Sequence, residues 1–329
     1  LDIDIQWCYP ETDTSYVSCH LSPEGIRQAL HSCPQRVTAV YVTSPDYLGH
    51  MLDIRGIAEI CHQAGALLLV DNAHGAYLRF LPQSCHPMEL GADICCDSAH
   101  KTLGVLTGGA YLHISHAAPE WLAQQAKASM SLFGSSSPSY LILQSLDAAN
   151  DRMARFRDDL ADLLPKAAAL KRRLSGRGYM LTGEEPLKGT VCPKSFGYTG
   201  TEIAATLEEN GAFPEFYDPD HVVLMLSPWN SDDDLVRLEQ TLCSIPQRTP
   251  IILTPPPVPH PVRVMTPRQA LFAVSERLPL EDCCGRISAA AAISCPPAIP
   301  LVVCGERIDQ QVIACLRYYG VSACMVIQE

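Results

Sequence analysis

Lys101 and Asp71 are the residues of this chain whose types and spacing point most directly to chemistry. Asp71 follows the apolar run at 66–70, and Lys101 lies in the segment 98–103 (SAHKTL). A lysine amine can form a Schiff base with the aldehyde of pyridoxal phosphate, and a carboxylate beside the pyridine nitrogen keeps the ring protonated and electron-accepting. At about 4 Å such a carboxylate contributes about 4 kcal/mol at an effective dielectric near 20. The pair therefore predicts a pyridoxal phosphate site.

Neighbouring residues can supply further contacts to such a cofactor. Ser98 and His100 flank Lys101 with a hydroxyl and an imidazole, both of which can contact a phosphate. His74 lies three residues after Asp71, where it can stack on the ring or contact the substrate carboxylate. Each residue alone also has a structural interpretation: Asp71 as a turn cap, Lys101 as a surface lysine and His74 as a core histidine. The combination favours the cofactor site.

The elements around these residues predict a mostly parallel sheet. Strand signals at 37–42, 66–70, 93–96 and 109–114 alternate with helical spacing, and Asp53 is expected to cap a helix that ends at Gly65. Strands interleaved with helices favour parallel pairing, and ligands of such sheets lie beyond the carboxyl ends of the strands. Asp71 and Lys101 both follow strands at that edge.

The second half of the chain predicts a connector and a smaller domain. A helical stretch covers 139–175, and Pro165 is expected to kink or split it. Helices are predicted at 201–210 and 232–242, a strand at 221–226, and an extended proline-rich passage at 254–259. We therefore expect a large cofactor-binding domain at 1–138, connecting helices at 139–175 and a small α+β domain at 176–329.

The composition of the chain limits the classes of partner and ligand that we expect it to bind. The 329 residues carry 24 basic and 36 acidic side chains, a net charge of −12, which argues against nucleic acid as a partner. No apolar run approaches a membrane span, and the acidic first residues do not match a signal peptide, so a cytoplasmic location is expected. The 15 cysteines are irregularly spaced and match no zinc pattern, so we predict reduced thiols and no metal.

Several segments together resemble the pyridoxal-phosphate-dependent Orn/Lys/Arg decarboxylases of the aspartate-aminotransferase fold, in the shorter form without a wing domain. The segments are 44–49 (SPDYLG), 70–76 (VDNAHGA), 91–93 (GAD), 98–103 (SAHKTL), 136–140 (SSPSY), 278–281 (LPLE), 285–289 (GRISA), 295–301 (CPPAIPL) and 305–308 (GERI). The late segments are specific to this family within its wider fold. The family's glycine-rich phosphate loop and its ring-stacking residue are expected upstream of this sequence, which suggests an N-terminal truncation.

The resemblance implies an α/β fold: a three-layer large domain of the pyridoxal-phosphate transferase type, incomplete at its N-terminus, and a smaller α+β C-terminal domain. It implies that Lys101 carries the cofactor, that Asp71 pairs with the pyridine nitrogen and that Ala73 packs on the ring. His74 would lie near the ring and the substrate. The cofactor phosphate would be contacted by Ser98, His100, Ser135 and Ser136, the last two from a neighbouring subunit of a homodimer or higher oligomer. By composition alone the serines form a loop with a helix cap.

The reaction implied by the resemblance is decarboxylation of a basic amino acid, arginine or lysine before ornithine. Glu215 is the best of four candidates for the cationic substrate tail, ahead of Glu184, Glu185 and Asp218, although surface carboxylates are common. Two alternatives remain: another enzyme of this fold, such as an aminotransferase or an acyl-CoA condensing enzyme, and an inactive truncated homologue.

Overall fold

Within the residues that the structure describes there are three β-sheets, and the first of them leads into both Asp71 and Lys101. The computed structural model describes residues 3–10, 15–290, 297 and 299–328. The first sheet consists of β1 (Ala39–Thr43), β2 (Leu67–Asp71), β3 (Ile94–Asp97) and β4 (Tyr111–Ile114), in that order. The first three strands are parallel and β4 runs antiparallel to β3. The prediction of a mostly parallel α/β sheet is confirmed.

Apolar residues at strand and helix spacing build the core of this first unit. In β2, Leu68 and Val70 are buried against the helices that cover the sheet. Asp53 caps the second helix, since its carboxylate accepts a hydrogen bond from the N–H of Gly56 at 3.0 Å. The helices here are α1 (Pro23–Ser32), α2 (Ile54–Gln63), α3 (Pro87–Leu90) and α4 (Ala99–Thr102).

The connecting region contains three helices, of which the first buries no residue. They are α5 (Glu120–Ser131), α6 (Tyr140–Met153) and α7 (Phe156–Arg177). The expected split at Pro165 does not occur, because Pro165 lies inside α7 and the helices instead separate at residues 154–155. Buried residues on both sides of the proline, including Leu160 and Ala167, pack α7 into the largest core cluster, and this packing outweighs the lost backbone hydrogen bond.

Two further sheets follow α7. The second sheet is antiparallel, in the order β5-β6-β8-β7, and packs with α7, α8 and α9. The third pairs two antiparallel strands beside α11. These elements are β5 (Met180–Thr182), β6 (Lys188–Cys192), α8 (Gly200–Glu209), β7 (Phe216–Tyr217), β8 (Val222–Met225), α9 (Asp232–Ser244), α10 (Pro267–Phe272), β9 (Ser275–Pro279), α11 (Gln310–Tyr318) and β10 (Ala323–Ile327). Part of the segment 295–301, including Ala298, lies outside the described residues.

Residues 44–50, which we call the covering loop, join the first sheet to the second. The N–H groups of Glu184 and Glu185 both donate to the carbonyl of Gly49 at 2.9 Å. The hydroxyl of Thr190 donates to the carbonyl of Leu48 at 2.7 Å. Gly183 has a φ of +81°, and a Cβ there would lie 2.3 Å from the same carbonyl oxygen, so only glycine permits this approach. The covering loop is thereby held against β5 and β6.

Cysteines contribute to these cores as small apolar residues. Cys61 and Cys95 lie buried in the core beneath the first sheet, and Cys283 lies in the core around α11. Of the helices in the described residues, none combines the length and hydropathy needed to cross a membrane.

Candidate functional site

Lys101 lies in α4, directly after β3, and its side chain is 19% exposed. Its Nζ is 2.7 Å from Nε2 of His74 and 3.9 Å from Oε1 of Glu215. The same amine lies 5.7 Å from the ring centroid of Tyr47. The amine is therefore partly shielded, with an imidazole and a carboxylate as its polar neighbours.

Asp71 ends β2 at the same edge of the sheet. Register pairs it with Cys96 of β3, so the segments that carry Asp71 and Lys101 leave two adjacent parallel strands in the same direction. One carboxylate oxygen accepts from the N–H of Ala73 at 2.9 Å and the other from the hydroxyl of Tyr41 at 3.1 Å. Burial and this carboxylate raise the pKa of Tyr41, so the phenol remains a donor. The carboxylate is held at the strand end with its orientation fixed.

His74 links the Asp71 segment to Lys101. It is buried, and its ring packs edge-on against Tyr47 with 4.8 Å between ring centroids. Burial, followed by the nearby charges of Lys188 and Lys101, holds the pKa of His74 well below its ordinary value. The imidazole is therefore neutral and can offer one N–H and one acceptor nitrogen.

Lys188 is a member of this site that the sequence did not reveal. It opens β6, is only 2% exposed, and its Nζ lies 3.0 Å from Nδ1 of His74 and 3.2 Å from the carbonyl oxygen of Asp46. Burial lowers its pKa. The only local signal is a lysine beside apolar residues at a strand start, and the contact partner His74 lies 114 positions earlier in the chain.

Glu215 reaches the site from just before β7. Its carboxylate lies near Lys101 and accepts a hydrogen bond from the hydroxyl of Tyr47 at 3.3 Å. The other three acidic candidates are engaged elsewhere: Glu184 accepts from the N–H of Met51, Glu185 is buried and accepts from the hydroxyl of Tyr77, and Asp218 accepts from backbone N–H groups of its own turn. Glu215 alone among the four contacts the Lys101 amine in the described structure.

The predicted phosphate ligands divide into two groups. Ser98 begins α4 without a side-chain capping bond, and Nδ1 of His100 lies 3.1 Å from the carbonyl oxygen of Gly109, so both stand next to Lys101. Ser135 and Ser136 are exposed between α5 and α6, and Ser135 donates to the carbonyl of Ser137 at 3.2 Å. The described contacts of Ser135 are within its own loop.

Asp97 anchors the base of the Lys101 segment. Its carboxylate accepts hydrogen bonds from Asn72 at 2.7 Å, His113 at 2.9 Å and His86 at 3.0 Å. Burial opposes ionisation, but the hydrogen bonds from these three side chains outweigh it and hold the pKa of Asp97 well below its ordinary value. The ligand atoms of Asp97 and the two histidines lie within 4.8 Å of one another, and hydrogen bonding accounts for their arrangement. Sequence reasoning missed this cluster.

Comparison with models of protein families identifies the family of the chain. A model described as "Orn/Lys/Arg decarboxylase, major domain" matches residues 14–182. The chain belongs to the Orn/Lys/Arg decarboxylase family. A second model, the C-terminal domain of the same family, matches residues 255–325. The first match contains the strand ends that carry Asp71 and Lys101, and the resemblance inferred from the sequence is confirmed.

Curated relatives agree with this assignment. The arginine decarboxylase of Bacillus subtilis is 31% identical over 331 residues, covering 92% of this chain and 66% of the relative. The arginine decarboxylase of Halalkalibacterium halodurans is 28% identical, covering 94% of this chain and 67% of the relative. The chain thus spans about two thirds of the length of these relatives.

Solved structures show the same fold. The lysine decarboxylase of Francisella novicida superposes with a TM-score of 0.74 at 15% identity, covering 98% of this chain and 63% of that structure. A serine palmitoyltransferase of Sphingomonas wittichii gives a TM-score of 0.55 at 18% identity, covering 69% of this chain and 59% of that structure. The fold class is therefore the one shared by these enzymes.

Proposed function

We propose that this chain takes part in the pyridoxal-phosphate-dependent decarboxylation of a basic amino acid, arginine or lysine before ornithine. The observation that carries the proposal is the Lys101 amine, in contact with His74 and Glu215 at the sheet edge where Asp71 ends β2. Membership of the Orn/Lys/Arg decarboxylase family and the arginine decarboxylase relatives support the same reaction.

The residues present fit pyridoxal phosphate. Lys101 offers a partly exposed amine to an aldehyde, and Asp71 offers a carboxylate to a pyridinium. The hydroxyl of Ser98 is not used to cap α4, which leaves it available to a phosphate, and the small side chain of Ala73 follows Asp71. His100 would add a second phosphate contact. This donor set contains the nucleophile, the ring partner and part of the phosphate site.

Each side chain then has a task in the reaction. Bound pyridoxal phosphate supplies the electron sink that accepts the electron pair left on Cα as carbon dioxide departs. Lys101 would hold the cofactor through its amine, which is the nucleophile of the site. Asp71 would favour a proton on the ring nitrogen, because a carboxylate at about 4 Å from a pyridinium contributes about 4 kcal/mol at an effective dielectric near 20, or about 3 pKa units. His74 contacts the Lys101 amine and orients it.

Glu215 is proposed to bind the cationic tail of the substrate. Its carboxylate is oriented by the hydroxyl of Tyr47 and lies on the Lys101 side of β7. A guanidinium or ammonium group would form a charge-assisted hydrogen bond there. The acidic net charge of −12 also favours a cationic ligand over an anionic one.

Reductive trapping tests the assignment of Lys101. Borohydride reduction of the protein after incubation with pyridoxal phosphate should leave the pyridoxyl mass on the Lys101 peptide, and Lys101→Ala should remove it. Lys127→Ala, in the exposed helix α5, serves as the matched control and should leave the label in place. If Lys101→Ala retains the full label, the assignment is wrong.

The substrate and the reaction class need a second assay. Carbon dioxide, agmatine, cadaverine and putrescine would be followed with arginine, lysine and ornithine as substrates. Release of carbon dioxide with agmatine or cadaverine supports the proposal. Transfer of the amino group to a keto acid without carbon dioxide release contradicts it and favours an aminotransferase.

We also propose a homodimer or higher oligomer in the cytoplasm, with Ser135 and Ser136 contacting the cofactor phosphate of a neighbouring subunit. The segment from α5 to α6 supports this, because α5 buries no residue and Phe133 and Tyr140 are exposed. The domain boundaries 1–138, 139–175 and 176–329 remain predictions. Light scattering would measure the oligomeric state, and Ser136→Ala should weaken pyridoxal phosphate binding if the serine contacts its phosphate.

A further inference from the structure

His74 lies between two lysine amines, and this constrains where protons can be. Its Nε2 is 2.7 Å from Nζ of Lys101, and its Nδ1 is 3.0 Å from Nζ of Lys188. A neutral imidazole has one N–H and one acceptor nitrogen, whereas an ammonium group can only donate. If both contacts are hydrogen bonds, one lysine donates to the ring and the other accepts from it. At most one of the two amines can then be an ammonium.

Each lysine has its own anionic neighbour, so either can hold the charge. Glu215 lies 3.9 Å from Lys101, and Asp46 and Glu185 act on Lys188, although burial raises the pKa of Glu185 and so opposes its charge. The ring of Tyr47 lies 5.7 Å from one amine and 5.8 Å from the other. His100 is a further titratable group whose charge acts on His74. Both amines therefore have acidic groups and the Tyr47 ring nearby, and burial, which lowers the pKa of Lys188, makes it release its proton more readily than an exposed lysine.

The side chain of Lys188 is almost completely buried. It is 2% exposed, and the covering loop lies against it so closely that a Cβ added to Gly49 would be 3.2 Å from its Cδ. Its Nζ is held by the carbonyl oxygen of Asp46 as well as by His74. A proton that leaves Lys188 therefore has Nδ1 of His74 as its nearest basic acceptor.

We propose that Lys188, His74 and Lys101 form a proton relay. A proton passes from Nζ of Lys188 to Nδ1 of His74 while the proton on Nε2 passes to Nζ of Lys101. Lys188 ends as a neutral amine, Lys101 as an ammonium, and His74 stays neutral but changes tautomer; the reverse transfer restores the first state. This deepens the proposed function and rests on it, because it makes Lys188 a buried proton store for the lysine that holds the cofactor.

Opposite tautomers in two variants test the relay in the cofactor-free protein. With Lys188→Met, only Lys101 can donate to the ring, so His74 should carry its proton on Nδ1. With Lys101→Met, only Lys188 can donate, so the proton should be on Nε2. The ¹⁵N shifts of a histidine-labelled sample distinguish protonated from unprotonated ring nitrogens. The same tautomer in both variants would overturn the proposal.

Two further variants distinguish loss of the hydrogen bond between Lys188 and His74 from a general effect on folding. Lys188→Arg keeps a side chain that can only donate and does not release its proton, so it should give the Nε2–H tautomer, the opposite of Lys188→Met. Lys171→Met removes another lysine that bonds the same segment, through the carbonyl of Glu185, and should leave the wild-type tautomer. If Lys188→Met does not fold, Lys101→Met still decides, since an Nδ1–H tautomer there contradicts the relay.

Labelling of the amine gives an independent readout. Only the unprotonated amine of a lysine reacts with acetic anhydride. Lys188→Met should slow the labelling of Lys101 by about tenfold or more relative to Lys171→Met, because Lys101 then becomes the sole hydrogen-bond donor to His74 and is protonated. Equal rates would contradict the relay. Reductive trapping with pyridoxal phosphate is scored separately: its failure would refute the cofactor assignment while leaving the tautomer result intact.

Discussion

Replacing Asp97 with alanine removes a buried carboxylate that accepts hydrogen bonds from three side chains, and we expect it to lower the free energy of unfolding by about 3–5 kcal/mol. The bonds from Asn72 and His86 are buried and each contributes about 1.5–3 kcal/mol. The side chain of His113 is 38% exposed, so its bond contributes about 0.5 kcal/mol. Relief of the carboxylate's desolvation offsets part of the sum.

Urea unfolding of wild type and Asp97→Ala measures the difference in their free energies of unfolding. The variant should unfold at a lower midpoint concentration of urea, with an unchanged dependence of the free energy on urea concentration. Asp162→Ala is the control, because Asp162 is 73% exposed and its ion pair with Lys166 should change stability by at most about 0.5 kcal/mol. A loss below about 1 kcal/mol for Asp97→Ala would refute the view that this carboxylate holds the ends of β2, β3 and β4 together.

The same pair of proteins should respond differently to acid. Because the folded-state pKa of Asp97 is depressed, its contribution is fully present above the unfolded value of about 3.9 and is lost as the pH falls through the folded value. The stability difference between wild type and Asp97→Ala should therefore be constant from neutral pH to about pH 5 and shrink below about pH 4. A difference that grows on acidification would show that the charge of Asp97 does not stabilise the fold.

Three substitutions in and around the proposed cofactor site have separate expected outcomes. Asp71→Asn should reduce carbon dioxide release by about a thousandfold, the equivalent of about 4 kcal/mol, while borohydride trapping at Lys101 persists; equal loss of both would contradict the assigned role. Glu215→Gln should raise KM for the basic substrate by about tenfold or more, and an unchanged KM would remove Glu215 from the substrate site. Gly183→Ala should destabilise the protein by about 1–3 kcal/mol in a thermal melt, because the added Cβ meets the Leu48 carbonyl, and an unchanged melting temperature would show that the covering loop yields easily.

The sequence predicted the elements of the first sheet because their signals are local. The apolar run before Asp71 and the cap at Asp53 each specify an element within about ten residues, and strand–helix alternation then specifies the shared edge. Lys188 could not be predicted in the same way. Its role depends on the covering loop and on His74, which lie more than a hundred positions away, and nothing adjacent to it differs from an ordinary strand start.

Local patterns also misjudged one helix and missed one cluster. Pro165 indicated a kink or a split, and α7 is not split there because its apolar face is buried on both sides of the proline. Asp97 and His113 lie on antiparallel neighbours, and their contact follows from register, which the sequence alone did not specify. Glu215 was chosen on context from four carboxylates, and its place beside Lys101 follows from the packing of the second sheet against the covering loop.

The attachment of the covering loop to β5 and β6 has a consequence for the newly synthesised chain. The ribosome completes residues 44–101 before it adds Lys188. The carbonyl of Asp46 can therefore accept its hydrogen bond from Lys188 only after the lysine 142 positions later has been added. The emerging polypeptide can form its first sheet while the Lys101 amine still lacks its contact with Glu215. The contacts of Lys188 with His74 and of Glu215 with Lys101 therefore form only after the second sheet has been synthesised and has packed against the covering loop.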